Sequence, residues 1–205
     1  YPTVLQKVVL LLWNAGVIVG AVSFLFDGII WTKWTALLLI ASAVVVYNIH
    51  LLQIRKHRHK RSPGAGIQWS MYGNHAFACA AIVMLTYSVW NPQDLLHAKS
   101  VTLAGWIYLV GWVSFMILCY SSKIVPFLWW TYKYGRKVGK PGTPMMSDLL
   151  NEKIVNAGLA AIACSTLIPA AGLIFDSQLL VAAGGMAYSV FSIVYISLIG
   201  LVFAR

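Results

Sequence analysis

Residues 179–203 read LLVAAGGMAYSVFSIVYISLIGLVF, twenty-five consecutive positions without a charged side chain. A helix needs about 20 apolar residues to cross the ~30 Å hydrocarbon core of a bilayer, at ~1.5 Å of rise per residue. A soluble surface helix breaks its apolar positions with a polar face every turn, and this stretch has none. It predicts a transmembrane helix.

The same reading extends back along the chain. Apolar blocks at 4–26, 34–54, 69–90, 101–122 and 154–175 are each long enough to span. With 179–203 they predict an all-α integral membrane bundle of six transmembrane helices, a single membrane domain over residues 1–205. Composition agrees, since 60% of the residues are hydrophobic and 10% charged, against about 45–50% and about 25% in soluble domains. There are too few charges to coat a soluble core. The chain begins at Tyr1, almost at once in a span and without an initiator Met. It reads as a processed polypeptide or part of a longer one.

The net charge of +10 raises the question of nucleic acid, but the positions of the cations exclude that reading. They cluster between apolar blocks, as topology determinants beside anionic headgroups do. Arg55, Lys56, Arg58, Lys60 and Arg61 lie between the second and third spans, and Lys133, Arg136, Lys137 and Lys140 between the fourth and fifth. Lys7 and Arg205 stand near the chain ends. The alternate connectors hold only Asp27 and Lys33, Asp94 and Lys99, then Asp176. All basic segments fall on one side when both termini are cytoplasmic, in a bacterial-type inner membrane.

Trp31, Trp34, Trp69, Tyr72 and Trp90 mark the predicted interfaces, where rings with one polar edge are favoured. Residues 124–134, IVPFLWWTYKY, predict a bend at Pro126 and a partly interfacial segment, with Lys123 reaching the headgroups. Asp148 is expected to cap a short helix before the fifth span, and Pro169 to kink that span. Cys79, Cys119 and Cys164 sit in apolar runs without CxxC spacing and read as small buried residues. Small residues recur at helical spacing in Gly16/Gly20, Ala76/Ala80 and Gly185/Ser189/Ser192. Such faces let helices approach closely, and Gly16/Gly20 and Gly185/Ser189 are candidate contacts for partner subunits as well as for the bundle.

An ionisable side chain within a span is costly and marks a candidate functional position. Asp27, Asp94 and Asp176 belong to connectors, and Asp148 and Glu152 to the inner edge, so no carboxylate lies mid-membrane. This disfavours a proton-coupled transporter of small solutes, as does the lack of an internal repeat. HExxH, GxSxG and phosphate-binding glycine loops are absent from the sequence. The histidines remain. His57 and His59, within RKHRHKR, read as solvated companions of the arginines. His50 and His75 enter successive spans from the same side, each about 6–9 Å below the interface by helix rise. At matched depth they are candidates for one shared cofactor, a haem with two imidazole ligands, a quinone or a metal. Hydrogen bonding to a neighbouring carbonyl is the alternative for each. His97 lies at the opposite side and is a candidate for a separate metal.

Residues 97–134, HAKSVTLAGWIYLVGWVSFMILCYSSKIVPFLWWTYKY, carry a histidine at a helix start, Gly-Trp steps, an apolar run and a K-I-V-P-F exit. This segment resembles the NnrS family and its relatives of haem-copper oxidase subunit I type. The resemblance covers about a fifth of the chain, and only His97 maps onto its motif. Lys99 stands where the family pattern carries a second histidine, and family members usually have about twice as many spans. The resemblance implies a haem-binding and copper-binding membrane protein linked to respiration or to nitric oxide. The competing expectation is a non-catalytic accessory or assembly subunit of a larger membrane complex.

Overall fold

The computed structural model describes residues 3–25, 30–57, 63–94, 96–137, 142–145 and 148–204. Asp27, Arg58, His59, Lys60, Arg61, Lys140 and Arg205 lie outside them. The described residues are all-helical: α1 (Thr3–Leu25), α2 (Ile30–His57), α3 (Ala65–Trp90), α4 (Ala98–Gly105), a π-helix (Trp106–Ser114), α5 (Phe115–Tyr134), α6 (Glu152–Ile174) and α7 (Gln178–Gly200), with short 3₁₀ turns between and after them. From α4 to α5 the helix is continuous.

Five of these segments are long and apolar enough to cross a membrane: Thr3–Ser23, Trp31–His57, Ala98–Tyr134, Glu152–Ile174 and Gln178–Ala204. The chain is a helical, membrane-spanning protein. The predicted third span is a helix of 26 residues, about 39 Å at the usual rise. It is long enough, but Gln68, Asn74 and His75 leave it less apolar than the other five.

The chain divides into two compact units, residues 1–61 with 74–97, and residues 62–73 with 98–205; the division falls inside α3. In the first unit α1 and α2 form an antiparallel hairpin. Gly20 faces Ala36, Gly16 faces Ile40, and Gln6 reaches His50. A Cβ on Gly16 would lie 2.7 Å from Ile40 Cγ1 and 3.2 Å from the Ile40 backbone nitrogen. The GxxxG face of α1 is therefore filled by α2, and the partner-subunit role expected of Gly16/Gly20 is replaced by a contact within the chain.

In the second unit α6 and α7 repeat this architecture with tighter glycines. Gly158 lies under the Tyr195 ring, Gly184 receives the Pro169 ring, and Gly172 abuts the Val181 backbone. Position numbers again rise on one helix as they fall on the other, so the pair is antiparallel. The connection is short because α6 ends in a Schellman motif. Ser177 N donates to Gly172 O at 2.8 Å, and Asp176 sits between them with φ 55°. Ser177 then caps α7 by accepting from Leu180 N.

The core of this unit gathers Phe115, Leu118, Cys119, Val155, Leu159, Ile162, Tyr195 and Ile199. The first turns of α3 lean on α5 through Gly66, against Ser122 and Cys119, and Gly73, against Met116 and Phe115. Before α3, Gly64 takes φ +92°. That is a left-handed conformation open to glycine, and a side chain there would also meet Lys123.

One local expectation changes, that for the cysteines, and two others gain detail. Asp148, expected to cap a short helix before the fifth span, accepts from Met145 N at 3.0 Å to close a turn, and Asn151 caps α6 itself, accepting from Lys153 N at 2.9 Å. Cys119 is buried, whereas Cys79 and Cys164 are exposed on the helix exteriors, where lipid rather than protein surrounds small apolar groups. Residues 124–134 continue α5 as helix through the buried Pro126.

Candidate functional site

The buried amide and imidazole side chains belong to the first unit, whereas those of the second unit are hydroxyls, Ser70, Ser122, Ser165 and Thr166. Asn48, His50 and Asn74 are all less than a tenth exposed, and His75 follows Asn74 on α3. Buried polar groups in an apolar setting cost free energy unless paired, so their pairing is the informative quantity.

Helix α2 presents two buried stripes. Ala36, Ala43 and His50 recur every seven residues and face α1; Ala41, Val44 and Asn48 form the second stripe. Asn48 and His50, two residues apart, are separated by about 200° around the helix. Each histidine meets a different stripe. His50 Nε2 lies 3.4 Å from Gln6 Nε2 on α1, while His75 Nδ1 lies 2.7 Å from Asn48 Oδ1. The two imidazoles therefore address opposite sides of α2. Each imidazole thus has its own protein contact on α1 or α2, and the sharing of one cofactor by His50 and His75 stays an expectation from the sequence. Equal depth is a property of helix rise, and depth alone left the azimuth open.

The Asn48–His75 contact can be read atom by atom. Asn48 Nδ2 donates to Val44 O at 2.9 Å, which turns Oδ1 toward α3. An amide oxygen only accepts, so His75 Nδ1 must be the N–H donor at 2.7 Å. The imidazole is held as the Nδ1–H tautomer, and Nε2 carries the lone pair. Metal-bound histidines are commonly supported this way, by an outer partner that fixes tautomer and ring orientation. His50 differs. Its Nδ1 is buried without a hydrogen-bond partner, and its other nitrogen has only the long Gln6 contact.

His97 is exposed at the start of α4, its backbone N–H donating to Asp94 O at 3.1 Å. No group of three or more His, Cys, Asp or Glu side chains suited to a metal ion occurs among the described residues. His97 brings no such set of ligands with it. Lys99 has a structural role instead. Its ammonium lies 2.6 Å from Asp176 Oδ2 and 3.0 Å from Ile174 O, so it neutralises the Schellman turn and satisfies a terminal carbonyl of α6.

Sequence reasoning missed two features. Asn48 was not singled out, although an Asn inside a span two residues from a histidine is a readable signal. The π-helix at Trp106–Ser114 has no such signal. Its Trp106 Nε1 donates to Thr166 O at 3.0 Å, a carbonyl of α6 three residues before Pro169.

The chain matches no family model, no curated protein and no solved structure.

Proposed function

We propose that this membrane-spanning protein binds haem through Nε2 of His75 and serves respiration or the response to nitric oxide. The observation that carries the reading is the relay Val44 O, Asn48, His75, which leaves an oriented imidazole lone pair in an apolar setting. Haem iron would supply the redox or gas-binding chemistry; His75 would hold it and Asn48 would fix the ring. His50 belongs to the α1–α2 contact in this reading. The basic residues at 55–61 and 133–140 support a topology with these connectors and both termini on the cytoplasmic side of an inner membrane.

The test is an optical spectrum of protein produced with haem supplied. A Soret band is expected in the wild type and absent in His75→Ala. A wild type that carries no band ends the reading.

One observation favours a second reading, an accessory subunit of a larger membrane complex. A Cβ on Gly185 would meet nothing within 4 Å, and Ser189, one turn on, is exposed. This face of α7, unlike Gly16/Gly20, is open to another helix. Co-purification of a partner that Gly185→Leu releases would support it.

A further inference from the structure

The continuous helix from α4 through α5 outruns its neighbours. The continuous segment Ala98–Tyr134 has 37 residues, about 55 Å at the usual rise, against ~30 Å of hydrocarbon and ~40–45 Å with headgroups. Lys123 pairs with Glu152 at 3.3 Å, and Glu152 opens α6, so this ion pair is a natural marker for the hydrocarbon boundary. Beyond Lys123 the helix continues for eleven residues, to Tyr134.

This extension is two-faced. Its inner side is tied to its own unit: Trp129 packs edge-on against Phe203 at 5.2 Å between ring centroids, and Trp130 Nε1 donates to Pro144 O at 2.8 Å. Its outer side carries Ile124, Phe127, Leu128 and Tyr132, exposed by 53%, 52%, 59% and 82%. At 100° per residue these positions, with Thr131, fill one arc of about 140°. A stripe of this size on a soluble surface would mark an interface. Its flank is cationic: Lys133 lies 5.6 Å over both the Trp129 and Tyr134 rings, and Arg136 is exposed one turn further. Between Lys123 and Ser147 the sequence holds no acidic residue.

We infer that this extension is a docking arm for an anionic lipid surface, with Phe127, Leu128 and Tyr132 entering the headgroup and acyl boundary and Lys133 and Arg136 meeting lipid phosphates. Apolar depth, interfacial aromatics and same-side basic residues are the composition that such a surface selects. A protein partner would require complementary acidic groups and is the competing outcome. The inference is independent of haem.

Two measurements test it on the full chain in vesicles of phosphatidylcholine with about 30% phosphatidylglycerol, a composition chosen to give a negative surface. Spin-labelled phosphatidylglycerol should associate in preference to spin-labelled phosphatidylcholine, and the preference should fall about fivefold for each charge removed in Lys133→Gln and Arg136→Gln. A photo-cross-linking residue at position 128 should yield lipid adducts. Equal association of the two lipids, a preference unchanged in the double variant, or cross-linking to protein instead of lipid would each overturn the inference.

Discussion

The α1–α2 hairpin and the α6–α7 hairpin are built to one plan and used differently. Both are antiparallel pairs closed on glycines, Gly16 and Gly20 in the first, Gly158, Gly172 and Gly184 in the second. In α6–α7 the buried hydroxyls are spent locally, Ser165 and Thr166 both donating to Ile162 O at 2.8 Å, while Tyr195 Oη and Asn156 Oδ1 tie the pair to Leu118 O and Trp69 Nε1 within the same unit. In α1–α2 they reach outward. Asn48 is bonded to its own helix through one amide group and to His75 through the other. The same small-residue packing thus yields a closed structural pair in one unit and, in the other, a pair that presents an oriented imidazole partner. Glycine stripes report closeness of backbones; function, if present, is reported by what the polar atoms do with their second hydrogen bond.

The largest way to break this comparison is at the two histidines. His75→Leu removes the oriented lone pair and is expected to abolish haem absorbance altogether. His50→Leu replaces a side chain whose Nδ1 is buried and unpaired with an apolar one of similar size. Removing an unsatisfied buried group is often neutral or stabilising, so the variant should keep its spectrum and unfold at an equal or higher temperature. Loss of haem in His50→Leu with retention in His75→Leu would reverse the assignment.

Next in size is Asn48. Substitution of an outer partner of a metal-bound imidazole typically costs 10–100-fold in affinity, so Asn48→Leu should weaken haem retention by about that range. Asn48→Asp should recover most of it, because a carboxylate also accepts from Nδ1–H. A nitrogen NMR spectrum of labelled histidine checks the tautomer without haem: Nδ1–H at His75 in the wild type, redistributed in Asn48→Leu.

These residues also define how far the sequence could be read. Residues 179–203 and the charge pattern predict helical spans because hydropathy and length act locally, and α1, α2, α6 and α7 fall within a few residues of the ranges read from composition. The third span is the informative exception, since Gln68, Asn74 and His75 that make α3 less apolar are the residues a site needs. That His50 and His75 lie on two successive long helices was likewise legible from the apolar runs. Which side of α2 each one meets was not, because azimuth depends on the packing of Ala36 and Ile40 against Gly20 and Gly16. Gly184 and Gly185 show the same dependence in small: they are neighbours in sequence, and 100° of rotation separates a packed glycine from an open one.

That pair supplies the third test. A Cβ on Gly184 would press into the Pro169 ring and lie 2.9 Å from Ile168 Cβ, and neither a proline ring nor a branched Cβ can swing aside. Gly184→Ala should cost about 1–3 kcal/mol, the usual range for overpacking, read as a lower unfolding temperature in detergent. Gly185→Ala meets open space and should be neutral or slightly stabilising, since alanine favours helix. Equal effects at the two positions would mean that α7 is rotated relative to its described contacts.

The smallest effect belongs to Lys99, and its size is the point. Lys99 and Asp176 pair at 2.6 Å with side chains 37% and 78% exposed, and exposed ion pairs contribute about 0–1 kcal/mol. The additional bond to Ile174 O satisfies a helix-terminal carbonyl and favours the upper part of that range. Lys99→Met should therefore lower stability by no more than about 1 kcal/mol, with a deficit that shrinks as salt screens the pair. It should leave haem absorbance untouched, because Lys99 serves the α6–α7 turn and not the Asn48–His75 contact. A spectral change in Lys99→Met would instead tie this lysine, and His97 two residues before it, to the cofactor, and the division of labour between the two hairpins would have to be redrawn.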